Sequence, residues 1–213
     1  MNDIKFVSLA DSAFEKIESD ILSGVYKKGD TITEIELSQN LGISRTPIRE
    51  AVKRLEQENL VKLTARGIVV IGLTSRDIED IFDLRIRVEG LAAAKCAEIF
   101  NSEQIEELKG IVELQEFYTQ KKKTEDINQT DSRFHEYIYM NCGSDILASV
   151  LSSFHRKVQM YRKQSVENFD RAILAVAEHR KIFEAISQGK RDEAEFLSVE
   201  HIKNAKKSIL KNL

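Results

Sequence analysis

Apolar positions in the first third of the chain repeat with two different periods. Leu9, Ala13, Ile17 and Ile21 recur at helical spacing, and Gly24 closes that pattern. The segment Tyr26 to Thr31, with Gly29-Asp30 inside it, reads as a turn region. A short helix over about Glu34 to Asn40 and a longer one over about Arg45 to Glu58 flank Leu41-Gly42-Ile43. Two runs rich in β-branched residues follow, Leu60 to Leu63 and Ile68 to Ile71, separated by Thr64-Ala65-Arg66-Gly67. That is a hairpin with a glycine in its turn. The order helix, helix, turn, helix, hairpin predicts a winged helix-turn-helix.

From Thr74 onward every pattern is helical. Thr74 with Asp77 has capping-box character at the start of a helix to about Phe100, and Ser102 reads as the cap of the next. Further helices are expected over about Glu125–Met140, Ser144–Arg162, Phe169–Gln188 and Asp192–Lys211, with Gly143 and Gly189 where helix ends want them. No internal repeat or low-complexity segment interrupts the pattern, and Lys121-Lys122-Lys123 reads as an exposed helix end. The expected fold is mainly α. Residues 1–72 form a winged helix-turn-helix with a small β-hairpin wing, and residues 73–213 form an all-helical bundle.

Composition narrows the class without deciding it. A 42% hydrophobic fraction supports packed cores and argues against wholesale disorder. The longest apolar run, Ala172 to Ala177, is far short of the roughly 20 residues a membrane helix needs. The N-terminal stretch carries acids and no apolar signal core. Cys96 and Cys142 show no paired spacing, so the expectation is a reduced, cytoplasmic chain.

The net charge of −3 is unusual for a nucleic-acid binder. Residues 1–72 hold 10 Lys/Arg against 11 Asp/Glu, so even the winged helix is not basic overall. The stretch Arg45 to Arg66, however, gathers six basic residues against three acids. Phosphate binding needs a local positive surface, not a basic protein. A mixed charged face can also be merely a solvated one.

Within that stretch lies SRTPIREAVKRLEQENLV, Ser44 to Val61. Ser44 is a good N-cap whose hydroxyl can accept from the next turn, and Pro47 sits in the first turn, where its missing N–H costs nothing. Ile48, Val52 and Leu55 form the buried stripe, while Arg45 and Arg49 share another face near the helix N-terminus. A helix entering the major groove leads with that end. Arginine can reach guanine O6 and N7 with two donors, and Thr46 can bond a base edge or a phosphate. Arg66 at the hairpin tip suits a contact to backbone or minor groove.

Residues of about 8 to 72 resemble the winged helix of the GntR family of bacterial regulators. The resemblance rests on Ile21…Gly24…Gly29, Glu34–Glu36–Leu37, Leu41 to Ala51, Leu55…Glu58, and Gly67 followed by Ile68 to Val70. It implies DNA contacts from Arg45, Thr46, Arg49 and Gly67, with Ser44 and the wing residue Arg66 beside them. Ile35 stands where many relatives of the FadR type place a base-contacting arginine.

Three of the four histidines lie on apolar helical stripes. His135 follows Asp131 by four residues, on the face that also carries Ile127, Phe134 and Ile138. His179 lies with Val176, Ile182 and Phe183, and His201 with Leu197 and Ala205. Three imidazoles and a carboxylate could make a first-row divalent metal site with open positions for water or a carboxylate. Each histidine alone fits a satisfied core or boundary position better than a ligand's, and periodicity does not show that three helices converge. The fourth, His155, flanks its own apolar stripe and is left out.

Residues 78 to 206 resemble the FCD ligand-binding domain of the FadR branch, in its six-helix VanR-like form. The landmarks are Leu84-Arg85 with Glu89, Asp131…Phe134-His135…Ile138…Gly143…Leu147, Glu178-His179…Ile182…Ala185-Ile186…Gly189, and His201-Ile202. Ser144 replaces the asparagine usual after the glycine. The resemblance implies metal ligation by Asp131, His135, His179 and His201, with zinc, nickel or manganese as the ion. It further implies a small organic acid as effector, for whose carboxylate Arg85, and after it Arg162, are the candidate clamps. Arg85 also fits an i, i+4 salt bridge with Glu89.

The expected function is therefore a non-enzymatic, ligand-responsive regulator binding a palindromic double-stranded DNA operator as a homodimer. A metal-dependent hydrolase or a metal-only sensor remains the competing reading of the His/Asp set. Against the enzyme stand the lack of a convincing general base and the absence of any enzymatic reason for residues 44 to 66.

Overall fold

The computed structural model describes residues 8–211 except 165–168; the side chains at 160–164, 169 and 170 also lie outside the description. The chain divides into two compact units, Met1–Thr74 and Ser75–Leu213. Described residues form nine helices and one small antiparallel sheet.

The first unit is built from α1 (Leu9–Leu22), β1 (Thr31–Ile32), α2 (Glu34–Leu41), α3 (Arg45–Gln57), β2 (Val61–Thr64) and β3 (Gly67–Val70). Helix α1 starts where the Ser8 hydroxyl accepts from the Asp11 N–H. A complete capping box between Thr33 and Glu36 starts α2, and Gly42, in the left-handed region at φ 67°, ends it. The short link to α3 follows from that stop. Ile48, Ala51, Val52 and Leu55 of α3 are fully buried, as are Phe14, Ile17 and Ile21 of α1 and Leu37 of α2, the helices that α3 packs on. Burying side chains of this size stabilises by roughly 1.5–3 kcal/mol each, before entropy is subtracted.

The sheet order is β1-β3-β2, so the hairpin β2–β3 acquires a third strand. Thr31 pairs with Val69 and Ile32 with Ile68. This strand was read from sequence as part of a turn, because two residues carry no detectable alternation. It explains Gly67: at φ 130° a side chain is strained, and a Cβ there would stand 2.9 Å from the Ile32 carbonyl oxygen. The glycine lets β1 close onto the wing.

The second unit contains α4 (Ser75–Ile99), α5 (Ser102–Gln120), α6 (Thr124–Asn141), α7 (Asp145–Gln164), α8 (Phe169–Ser187) and α9 (Arg191–Leu210). Its core gathers Ala92, Ala93 and Cys96 of α4 with Leu108 and Val112, Phe134, Ile138 and Tyr139, Leu151, and Ile182, Phe183, Ala185 and Ile186. The small residues of α4 admit close neighbours. A Cβ on Gly90 would stand 3.0 Å from the Glu195 carbonyl oxygen on α9.

One cap assignment changes. Ser102 is the first helical residue of α5, and Asn101 is the N-cap, in a reciprocal capping box with Gln104. Asn101 has the extended backbone that a cap requires, at ψ 175°.

Candidate functional site

On the first unit, Ser44, Arg45, Thr46, Arg49 and Arg66 are all exposed, and Gly67 is half-buried in the wing. Ser44 occupies the N-cap of α3 with an extended backbone, yet its hydroxyl makes no cap hydrogen bond. The expected side-chain cap is therefore absent. Arg45 and Arg49 project together from the first turns of α3, and both reach Glu34 at the start of α2. Arg45 donates from Nη2 at 2.9 Å, and Arg49 donates from Nε and Nη2 at 3.1 and 3.0 Å. The two guanidinium groups hold the Glu34 carboxyl down at about 2. Arg66 sits at the hairpin tip, its backbone N–H donating to the Thr64 hydroxyl. Arg54, counted among the basic residues of this stretch, faces away from them: it pairs with Asp11 and lies over the Phe14 ring at 4.2 Å.

In the second unit the three stripe histidines converge. His135 on α6, His179 on α8 and His201 on α9 are all buried, and their ligand atoms lie within 4.8 Å of one another. The Nε2 atom of His201 stands 3.3 Å from Nε2 of both His179 and His135. Phe134 stacks on the His179 ring, centroids 4.0 Å apart, and so fixes its plane. Asp131, one turn before His135, places Oδ1 3.9 Å from His179 Nε2.

Each imidazole is turned by an outer partner. His135 Nδ1 lies 2.9 Å from Glu89 Oε1, His179 Nδ1 2.9 Å from Gln115 Oε1, and His201 Nδ1 2.7 Å from Glu178 Oε2. All three partners are oxygen acceptors, so each Nδ1–H donates outward, and a ring in its neutral form keeps its lone pair on Nε2. Three lone pairs then face one another at close range in a buried space. A divalent cation placed among them would resolve that repulsion. Histidine metal ligands are oriented in just this way, by an acceptor on the far ring nitrogen.

The electrostatics agree. Burial, then the neighbouring His155, holds His135 well below the ordinary histidine range. Burial, then the neighbouring His201, lowers His179 to about 3. Both are therefore neutral imidazoles, able to ligate, at physiological pH. Burial works to raise Glu178, but the His201 hydrogen bond and the Arg171 charge outweigh it and hold the carboxyl at about 2. Glu89 is likewise lowered, burial opposing and Arg85 prevailing.

The comparisons with known proteins fit this geometry. The gntR family model of bacterial regulatory proteins matches residues 9–71, and the FCD domain model matches residues 80–204. The chain is a GntR-family transcriptional regulator with an FCD domain. It is 31% identical to the HTH-type transcriptional regulator YdhC of Bacillus subtilis (strain 168), over 85% of this chain and 82% of that one. The gluconate operon transcriptional repressor of Bacillus licheniformis is 27% identical, over 81% of this chain and 73% of its own. Among solved structures, E. coli McbR/YncC superposes with a TM-score of 0.79 at 20% identity, covering 97% of this chain and 99% of that one. The two Bacillus relatives are transcriptional regulators, and the McbR/YncC structure shares the fold of winged helix and helical bundle.

Two residues of the regulator's helical domain lie deeper than the sequence pattern shows. Arg85 is not a surface residue: it is 2% exposed, and its Nε and Nη2 donate to Glu89 at 2.8 and 3.1 Å. Tyr139 donates to the same carboxylate at 2.6 Å. A continuous chain Arg85–Glu89–His135 therefore runs from α4 into the histidine cluster. His155, left out of the sequence reading, is 2% exposed with its ring centroid 4.9 Å from that of His135. Its position beside the apolar stripe, not within it, concealed that burial. Arg162 lies on α7, with its side chain outside the described residues. No described helix is long and apolar enough to cross a membrane.

Proposed function

We propose that this regulator binds a palindromic operator as a homodimer and that a small organic acid, held at a divalent metal in the helical domain, modulates that binding. The convergence of three Nε2 lone pairs, each turned inward by an outer acceptor, carries the metal reading. His135, His179 and His201 would hold the ion, with Asp131 as the fourth ligand. Zinc, nickel and manganese all suit an imidazole-rich set with one carboxylate. The bound ion supplies a Lewis-acidic position for a carboxylate oxygen.

The organic-acid class draws support from the similarity to the gluconate operon repressor, since gluconate is a hydroxy acid. Arg85 is the proposed carboxylate contact. With Nε and Nη2 engaged by Glu89, it would meet the acid through Nη1 or by exchanging one carboxylate for the other. Arg162 is the second cationic candidate. On the first unit, Arg45, Arg49 and Thr46 read base edges, while Ser44, Arg66 and Gly67 contact backbone. Two such readers on one dimer match a two-fold operator.

Metal analysis, calorimetry with gluconate and other hydroxy acids, and mobility shift on a duplex selected from a random library test this together. Wild type should carry one equivalent of metal per chain, bind an acid, and sediment near twice 24.3 kDa. His179→Ala should lose metal and acid together. Arg85→Lys should keep metal and weaken the acid, because lysine cannot supply the bidentate fork. Full metal content in His179→Ala sinks the site.

A further inference from the structure

We infer that Glu34 is a specificity-determining residue: it buttresses Arg45 and Arg49 so that they address base edges and are withheld from phosphates. The inference rests on the reading of α3 as the DNA-reading helix. Glu34 touches no base in this picture; it acts through the two arginines and is a positioning residue.

The geometry decides how. A guanidinium has a side edge, Nε with Nη2, and an end edge, Nη1 with the outer hydrogen of Nη2. Arg49 gives its side edge to Glu34 in a bidentate pair, and Arg45 gives only Nη2. The Nη1 donors of both have no protein partner among the described residues. The end edge of Arg49 thus keeps the two parallel donors that match guanine O6 and N7. Phosphate is indifferent to which edge it meets, and here it meets a carboxylate beside each guanidinium. Sequence-independent affinity depends on the number of phosphates neutralised, so a built-in anion lowers it.

Local structure holds Glu34 to this task. It is the first residue of α2, where the helix macrodipole favours an anion. Thr33 and Glu36 lock that helix start in a capping box, with the Thr33 N–H donating to Glu36 at 2.8 Å. The two acids of the turn therefore have separate duties: Glu36 builds the cap, and Glu34 faces α3. The Glu34 side chain is 22% exposed between arginines that are each 56% exposed, so the triplet lies at the surface. Two adjacent guanidinium groups would otherwise repel and splay. One carboxylate between them sets their separation.

The test uses the full-length protein, an operator selected from a random duplex library by wild type, and a scrambled duplex of equal length. Glu34→Gln keeps shape and removes the charge. Affinity for the scrambled duplex should rise about three- to tenfold at low salt, with its log–log salt dependence steeper by about 0.9, one further phosphate's worth. The ratio of operator to scrambled affinity should fall about tenfold or more, as expected for a poorly aligned bidentate contact. Glu36→Gln removes the same charge from the same helix turn and is the control; it should leave the ratio within about twofold, because screening weakens effects that are not direct contacts. An unchanged ratio in Glu34→Gln, or an equal fall in Glu36→Gln, overturns the inference. Failure of the underlying reading looks different: wild type would select no duplex, or Arg49→Ala would leave selection intact.

Discussion

The chemistry of residues 8–74 lies on the outside and that of residues 75–213 lies within. Arg45, Arg49 and Arg66 stand in solvent, where an ion pair contributes about 0–1 kcal/mol and a charge can leave its partner for DNA. His135, His179, His201, Glu89 and Arg85 are buried, where a charge without a partner is costly. The exposed set can therefore be altered with little harm to folding, and the buried set cannot. The same difference suits the proposed tasks: a reading surface must exchange partners, whereas a ligand cage must be preorganised before its ion arrives.

The largest effect expected from this contrast is at Glu89. It accepts from Arg85 and Tyr139 and faces His135 Nδ1. Glu89→Ala should cost about 3–5 kcal/mol, because a buried guanidinium loses its counter-ion. Denaturant unfolding followed in the helical domain measures it. A loss under about 1 kcal/mol would mean that the pair is not buried in solution.

Next in size is the metal itself. An ion at a thousandfold over its dissociation constant should stabilise by about 4 kcal/mol, since the unfolded chain offers no assembled cage. Chelator should reverse the gain, and His179→Ala should abolish it. Equal stabilisation of isolated residues 1–74 by the same ion would place the metal on the wrong unit.

Acid sharpens the comparison further. His179 is held at about 3, first by burial and then by His201, against about 6.5 in an unfolded chain. Between those values the unfolded chain binds more protons, so stability rises with pH across the window and is complete above about 6.5. The slope approaches about 1.4 kcal/mol per pH unit for this one histidine, and His135 adds to it in the same direction. Urea midpoints of metal-free protein from pH 7.5 to 5 should fall accordingly. In His179→Gln the fall should be shallower.

How much of this was legible in the sequence follows from range. The winged helix is assembled from local signals, a cap, a proline, a hairpin glycine and a 3.6-residue stripe, so α1 to β3 were readable except β1. Two residues, Thr31 and Ile32, contain no period, and their pairing with Val69 and Ile68 is a tertiary fact. The histidine stripes were readable one helix at a time, but their convergence depends on how α6, α8 and α9 cross. Sequence adjacency even misleads here: Glu178 neighbours His179 yet serves His201, while His179 is served by Gln115 from α5. The Arg85–Glu89 spacing was visible, its burial was not, because i, i+4 ion pairs usually mark a solvated face.

Smaller again is the expected effect on DNA. Arg49→Ala should cost about 1–3 kcal/mol of operator affinity per lost base contact while thermal unfolding stays within about 0.5 kcal/mol of wild type. Operator affinity unchanged in both Arg45→Ala and Arg49→Ala would remove α3 as the reader.

The smallest effect on folding belongs to Ser44, and it separates two roles that one residue type can play. Thr33 and Asn101 cap their helices through side-chain hydrogen bonds, so alanine there should cost about 1 kcal/mol. Ser44 holds the N-cap position of α3 without making that bond. Its replacement by alanine removes no hydrogen bond from the first turn, whose N–H groups Pro47 already reduces to three, so stability should change by only a few tenths of a kcal/mol. The hydroxyl instead stays available at a helix N-terminus, where backbone N–H groups and the macrodipole favour a phosphate. Ser44→Ala should then weaken operator and scrambled duplex alike, a uniform loss that marks a backbone contact and not a base contact. Thr33→Ala should show the reverse profile, with lower stability and a smaller change in affinity. Melting and mobility shift on the two variants decide between the roles: if Ser44→Ala lowers stability as much as Thr33→Ala does, its hydroxyl belongs to the fold.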